Sequence, residues 1–271
     1  MNPSTDQSVI VERDSSIVIV TLNRPGAHNA LNQEVLGAVH AAVVDAAADP
    51  ECRAVILTGA GTQAFCSGAD LRELQGLTTE QAVDYMSFGQ NIFDAIARSG
   101  IPVIAAVNGV ALGGGFELIL ASTIAIMSTR ASLGLPEAGL GLIPGYGGTQ
   151  RLPRIIGRQS ALSMMLTGAR MSADVAYASG LSAVPPVAPD VLMDSAMDIA
   201  RSVARQGPVA VRSILQAVDE GCDGPLGEGL ALEYSLAAQA VSGSESAEGV
   251  AAFLGRRVPA FGPRAKYSVE T

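Results

Sequence analysis

Tryptophan is absent and aromatic residues make up only 4% of the 271, so a core has to be built mainly from Ala, Val, Leu and Ile. The hydrophobic content of 48% supplies enough of them for a substantial core. Cysteine occurs three times, at Cys52, Cys66 and Cys222. An odd, widely spaced set excludes a disulfide framework and reads as reduced thiols of an intracellular, cytoplasmic protein. Histidine occurs only as His28 and His40, which form neither a catalytic triad nor a metal site, so no metal is expected. No apolar run reaches membrane-spanning length, because Pro102, Asn108, the glycines and Glu117 interrupt the best candidate. The segment Met1 to Asp6 shows neither a basic n-region nor an apolar h-region. Positive charge is also scarce: the net charge is −9 and the pI is near 4.7. That balance argues against general nucleic-acid binding, which needs a basic surface, but leaves room for an anionic small molecule met by a local cluster. Arg256, Arg257, Arg264 and Lys266, the only lysine, gather near the C-terminus. They read equally well as a solvated tail or as a phosphate-binding patch.

What is present alternates between strands and helices. Val9 to Arg13 and Ile17 to Leu22 are β-branched runs separated by Asp14-Ser15-Ser16, a hairpin signature. Residues 29–47 carry helical spacing, Ala54 to Gly59 reads as a buried strand, and Thr79 to Arg98 as a helix. A strand at Val103 to Val107, a triple-glycine turn, a short helix and a strand at Thr123 to Ser128 follow, which predicts an α/β core. Beyond Gly157 the pattern is helical, with Ala183 to Val187 as a proline-bearing edge or connector. The expected organisation is an α/β core with the active site over residues 1–195 and a helical oligomerisation region over 196–271.

Candidate chemistry sits in glycine-rich loops. Glu117 is the one charged side chain between Arg98 and Arg130, and it follows Gly113-Gly114-Gly115. A carboxylate buried among apolar residues has to be paired or keep its proton, which makes it a candidate for proton chemistry. Glu137, in Leu135-Pro136-Glu137-Ala138-Gly139, is a second isolated carboxylate. In Phe65-Cys66-Ser67-Gly68-Ala69-Asp70-Leu71 a loop enters a helix with Asp70 as its cap, offering amides to an anionic oxygen. Cys66 there reads as a packing residue rather than a nucleophile. The glycine runs 113–115 and 145–148 lack the Gly-x-Gly-x-x-Gly spacing and the later acidic residue of a dinucleotide fold.

In order, Leu22-Asn23-Arg24-Pro25, Asn29-Ala30-Leu31, Phe65 to Leu71, Asn108 to Glu117, Pro136-Glu137 and Pro144 to Leu152 resemble the crotonase family, the enoyl-CoA hydratase/isomerase group. The resemblance implies an α/β fold: a spiral of β-β-α units with two nearly perpendicular sheets and a C-terminal helical trimerisation region. It also implies a homotrimer or a hexamer formed as a dimer of trimers, with no nucleic-acid or membrane partner. The implied activity is enoyl-CoA hydration, the addition of water across the 2,3 double bond of a thioester to give 3-hydroxyacyl-CoA. No cofactor is implied, because coenzyme A is part of the acyl-CoA substrate. By the same resemblance Glu117 and Glu137 are acid and base, and the amides of Ala69 and Gly114 form the oxyanion hole. Coenzyme A contacts fall to Arg24, Ala27, Ala69, Asp70, Leu71, Arg72 and Gly114, with Phe253 and Arg256 reaching a neighbouring subunit's ligand. Two features depart from the family pattern. Gly26-Ala27-His28 replaces a lysine-containing turn, and Tyr146 stands where many relatives have a small residue, at the acyl end of the pocket. The alternatives are a Δ3-Δ2 enoyl-CoA isomerase working through Glu137 alone, and a catalytically silent acyl-CoA- or RNA-binding member.

Overall fold

Alternating β-branched residues set up the first pairing. In the computed structural model, which describes residues 7–264, Val9–Asp14 (β1) and Ile17–Leu22 (β2) form an antiparallel hairpin, as expected. Lys266 lies outside the described residues. The first helix, Gln33–Ala48 (α1), begins later than its spacing suggests, because Asn32 caps it by accepting the Val35 N–H. Asn29 stays outside the helix at φ 57°. Its side chain accepts from the Arg24 N–H and donates to the carbonyls of Ala60 and Ala64, joining three segments.

A repeated pair of strands then builds two sheets. Ala54–Gly59 (β3) and Ala64–Cys66 (β4) precede Thr79–Ala97 (α2), whose start is a capping box between Thr78 and Gln81. Val103–Val107 (β5) and Val110–Leu112 (β6) precede Gly114–Leu120 (α3). Ile124–Met127 (β7) and Ser132–Gly134 (β8) make a third pair. Each pair sends its first strand to a five-stranded sheet of order β1-β2-β3-β5-β7 and its second to a smaller sheet headed by β4-β6-β8. Strands β2 to β7 of the larger sheet run parallel. This is the spiral of β-β-α units.

Beyond it come Gly148–Ile156 (α4), Arg158–Thr167 (α5), Met171–Ser172 (β9) and Ala173–Ala178 (α6). Strand β9 pairs antiparallel with β8, so this stretch is not purely helical; two residues are too few to leave a period in the sequence. The segment ending at Val187 is a connector laid along β7, with Val187 bridged to Ser128.

The larger sheet is covered on both faces, which is why β3 is buried throughout. Val55, Leu57, Val103, Ala105 and Met127 face the main core with α1 and α2. The alternate residues Ala54, Ile56, Ile104, Ala106 and Ile126 face Leu192–Ala204 (α7) through Leu192, Ala196, Met197 and Ala200. The expected boundary between core and oligomerisation region at 195/196 thus falls inside a helix packed on the sheet. The exposed helices begin with Pro208–Gly221 (α8) and continue as Leu226–Val241 (α9) and Ser244–Leu254 (α10). Helix α9 has no buried residue although Leu226, Leu230, Tyr234 and Val241 lie on it. The basic C-terminal group is divided: Arg257 pairs with Glu248, and Arg264 donates to the carbonyls of Ala46, Ala47 and Asp49 at the end of α1.

Candidate active site

The triple glycine meets the loop that carries Gly68, and both loops leave strands of the smaller sheet. Gly113 adopts φ 49° and Gly68 φ 102°, a region that a side chain disfavours. A Cβ on Gly68 would stand 2.8 Å from the Leu112 carbonyl and 3.4 Å from the Gly114 nitrogen, so the two backbones approach as only glycine permits. Gly114 opens α3, and N–H groups of a first helical turn have no partner within their helix. On the other segment, Leu31 N–H donates to Gly68 O and Asp70 N–H to Leu31 O. That bridge uses the peptides on either side of Ala69 and leaves the Ala69 N–H directed away from it. Both amides border a cavity of about 710 Å³, which Glu117 and Glu137 also line.

Glu117 is 2% exposed, in the first turn of α3. Its Oε1 accepts from the Tyr146 N–H at 2.8 Å and the Gly148 N–H at 2.7 Å, both from the loop entering α4. Burial pushes its carboxyl up to about 7 against the pull of those two amides; the nearby Glu137 pushes the same way. A group with that value takes and returns a proton near neutral pH with little driving force either way. Glu137 follows Pro136 and starts a 3-10 turn, Glu137–Leu140. Burial raises its carboxyl too, and its Oε2 is buried with no hydrogen-bond partner among the described residues. A carboxylate oxygen left so is costly unless it carries a proton or meets a ligand.

At the other end of the cavity Asp70 is the fixed point. It caps the 3-10 turn Leu71–Leu74 and binds Arg72 at 2.8 Å and Arg24 at 3.1 Å. Arg72, then Arg24, holds its carboxyl well below the usual carboxylate range. Arg72, Leu71 and Ala27 line the cavity, and Arg72 is largely exposed. Arg24 does not line it; its guanidinium is engaged by Asp70 and the Ala30 carbonyl. Phe253 and Arg256 do not line it either, and both are exposed on the surface of their own chain. Burial pushes the Cys66 thiol up to about 12, which suits a packing role. Among the described residues no group of three or more His, Cys, Asp or Glu is arranged to hold a metal ion.

Several lining groups carried no sequence signal. Met86 and Gln90 reach the cavity from α2, and Leu140, Leu142 and Ile143 from the loop after Glu137. Arg151 donates to the Tyr146 carbonyl at 2.9 Å, on the peptide preceding Gly147, and so clamps the loop that holds Glu117. The glycine-rich run 144–148 marked this loop as rigid but not as the anchor of a carboxylate 29 and 31 residues away.

Comparison with known proteins places the chain in a family. Residues 12–264 match the family model for enoyl-CoA hydratase/isomerase. The short-chain-enoyl-CoA hydratase of Clostridium acetobutylicum is 38% identical over 250 residues, covering 92% of this chain and 95% of that protein. The crotonyl-CoA hydratase of Syntrophomonas wolfei is 36% identical over 251 residues, covering 93% and 96%. The crystal structure of an enoyl-CoA hydratase from Bacillus anthracis superposes with a TM-score of 0.90 at 38% identity, covering 94% of this chain and 99% of the other.

Proposed function

We propose, from the premise that this chain belongs to the enoyl-CoA hydratase/isomerase family, that it adds water across the 2,3 double bond of a 2-enoyl-CoA thioester. The observation that carries this reading is a buried carboxyl, Glu117, and a half-buried one, Glu137, both with raised pKa, in one cavity with Ala69 and Gly114. A conjugated thioester develops enolate charge on its carbonyl oxygen when a nucleophile adds at C3. Two aimed N–H groups stabilise that charge, and the loss of one such donor typically costs roughly 2.7–4 kcal/mol. Glu117 takes a proton from the water whose oxygen bonds to C3, and Glu137 delivers a proton to C2. The two carboxyls then hold one proton between them again and titrate as a pair. No metal or nucleotide takes part in this scheme.

Coenzyme A is placed along Ala27, Ala69, Leu71 and Arg72 at the mouth, with Asp70 and Arg24 stiffening that loop. The exposed apolar residues of α8 to α10 support a homotrimer, paired into a hexamer, in which Phe253 and Arg256 meet the ligand of a neighbouring subunit. The free cysteines fit a cytoplasmic protein. The deciding experiment is the loss of absorbance of the conjugated thioester on incubation with 2-enoyl-CoAs, with and without a chelator. Rapid loss in both conditions is expected. A protein that hydrates none of them but converts 3-enoyl- to 2-enoyl-CoA is an isomerase instead. Light scattering tests the assembly: a trimer or hexamer is expected, and a monomer of the intact chain would remove it.

A further inference from the structure

Tyr146 is wedged between two glycines. Its Cδ2–Cε2 edge lies 3.3–3.4 Å from where a Cβ on Gly114 would stand. Its opposite edge, Cδ1, Cε1 and Cζ, occupies the space a Cβ on Gly89 would need, so α2 accepts the ring only because residue 89 is glycine. The Phe93 ring packs against it with centroids 5.0 Å apart, and the residue is 3% exposed. Its backbone is held too, by the N–H to Glu117 and the carbonyl to Arg151. A ring fixed at both edges and at its backbone is a wall rather than a gate.

The wall has different chemistry on its two sides. On one side is the cavity with the carboxyls. Tyr146 and Gln90 also border a second cavity of about 470 Å³, lined by Asp94, Arg98, Arg151, Arg154 and other charged groups. An alkyl chain that passed the ring would enter a space rimmed by charged side chains, where Ala97 offers little aliphatic surface to offset their desolvation. With coenzyme A along Ala27 and Arg72, as proposed above, the chain beyond C3 runs toward the α2 side of the lining, where Met86, Gln90 and Tyr146 stand.

We propose that Tyr146, seated on Gly89, is the end wall of the acyl site and restricts the enzyme to short-chain substrates. The proposal rests on the hydratase reading above. Its test is kcat/KM for 2-enoyl-CoAs from crotonyl- to dodecenoyl-CoA, on the wild type, Tyr146→Ala, Tyr146→Leu and Gly89→Ala. The affinity of saturated acyl-CoAs of the same lengths is measured in parallel by calorimetry. One methylene against a closed wall discriminates by roughly tenfold or more. The wild type is therefore expected to fall at least about tenfold between crotonyl- and octenoyl-CoA. Tyr146→Ala should recover about tenfold of that loss, and Tyr146→Leu, which keeps an apolar group against Phe93, serves if Ala does not fold. Gly89→Ala pushes the ring toward Gly114 and should steepen the fall. A wild type that handles dodecenoyl-CoA as well as crotonyl-CoA overturns the proposal, as does an unchanged profile in folded Tyr146→Leu. If no 2-enoyl-CoA is hydrated, the hydratase reading fails, and the length dependence of saturated acyl-CoA binding still decides the wall.

Discussion

The floor of the cavity and its rim each hold one glutamate, and the chain treats them differently. On the floor, Glu117 is sealed in α3 and gripped by two backbone amides. At the rim, Glu137 sits on a 3-10 turn that leads into exposed Leu140, Leu142 and Ile143, and its inner oxygen is unpartnered among the described residues. Burial raises both carboxyls, but the floor residue is held by two amides of a distant loop, whereas the backbone hydrogen bond to Glu137 is its own residue's. Two similar side chains are thus held differently: Glu117 by amides from another segment, Glu137 with one oxygen buried and unpartnered among the described residues. Preorganised dipoles and carboxylates cost no rearrangement at the moment of reaction.

The largest effect should break this symmetry outright. Changing either glutamate to Gln is expected to lower hydration by about a thousandfold, within the range for loss of an acid–base group. The two variants should part company on 3-enoyl to 2-enoyl conversion, which needs a proton carrier at C2 only. Glu137→Gln should lose it, and Glu117→Gln should keep part of it. Both reactions are followed spectrophotometrically, with circular dichroism to confirm the fold. Hydration by Glu117→Gln within a few-fold of the wild type would show that the anchored carboxyl is not the base.

Next comes the amide at the edge of the floor. Gly114→Pro removes one proposed donor and should lower kcat roughly 10²–10³-fold. Proline is tolerated in the first helical turn, and Gly114 is the first residue of α3. Gly114→Ala is the control, because it adds a Cβ facing Tyr146 and Leu31 at 3.3–3.4 Å but keeps the N–H. Equal losses in the two variants would assign the effect to bulk and not to the amide.

How much of this was legible beforehand depended on how far apart the interacting groups lie in the chain. The large sheet was readable because β3, β5 and the β2 hairpin strand are runs of β-branched and small apolar residues. The second sheet was not readable from the residues themselves: β4, β6 and β8 have three residues each, too few to show a period, and only the family resemblance implied it. Glu117 stood out as a charge isolated in an apolar stretch. Its anchors did not, since backbone N–H groups have no identity in a sequence. Arg24 was singled out by the family resemblance but not as the partner of Asp70, which lies 46 positions away. The wedge of Tyr146 on Gly89 likewise joins helix α2 to the loop entering α4, which no local pattern connects.

A third test turns on stability and sharpens the floor's side of the comparison. Folded Glu117 holds its proton to about 7, against an ordinary value of 4.5 in the unfolded chain. Between those values the folded state binds more protons, so the wild type loses stability as pH rises through the window. Gln cannot ionise and escapes the loss. Glu117→Gln should therefore match the wild type below about pH 4.5 and exceed it above about pH 7, by roughly 3 kcal/mol. Denaturant melts across that range read the difference. A gap that does not widen with pH would mean that the carboxyl is ionised at little cost.

The smallest effect concerns the floor's one loose end. The Tyr146 hydroxyl is buried with no hydrogen-bond partner among the described residues, and burial holds its pKa above the ordinary phenolic value. Tyr85 interacts with it electrostatically, but the Tyr85 hydroxyl donates to Glu73 at 3.2 Å. An unpaired buried hydroxyl costs about 1–3 kcal/mol, of which a phenyl ring of the same shape recovers part. Tyr146→Phe should accordingly raise stability by about 1 kcal/mol while the ring keeps its place between Gly89 and Gly114. If the hydroxyl instead shares a proton with Tyr85, removing it costs about as much, and the melting temperature falls. The sign of that one shift tells whether the floor is completely satisfied, as the anchoring of Glu117 suggests, or keeps a single unpaired atom behind the wall.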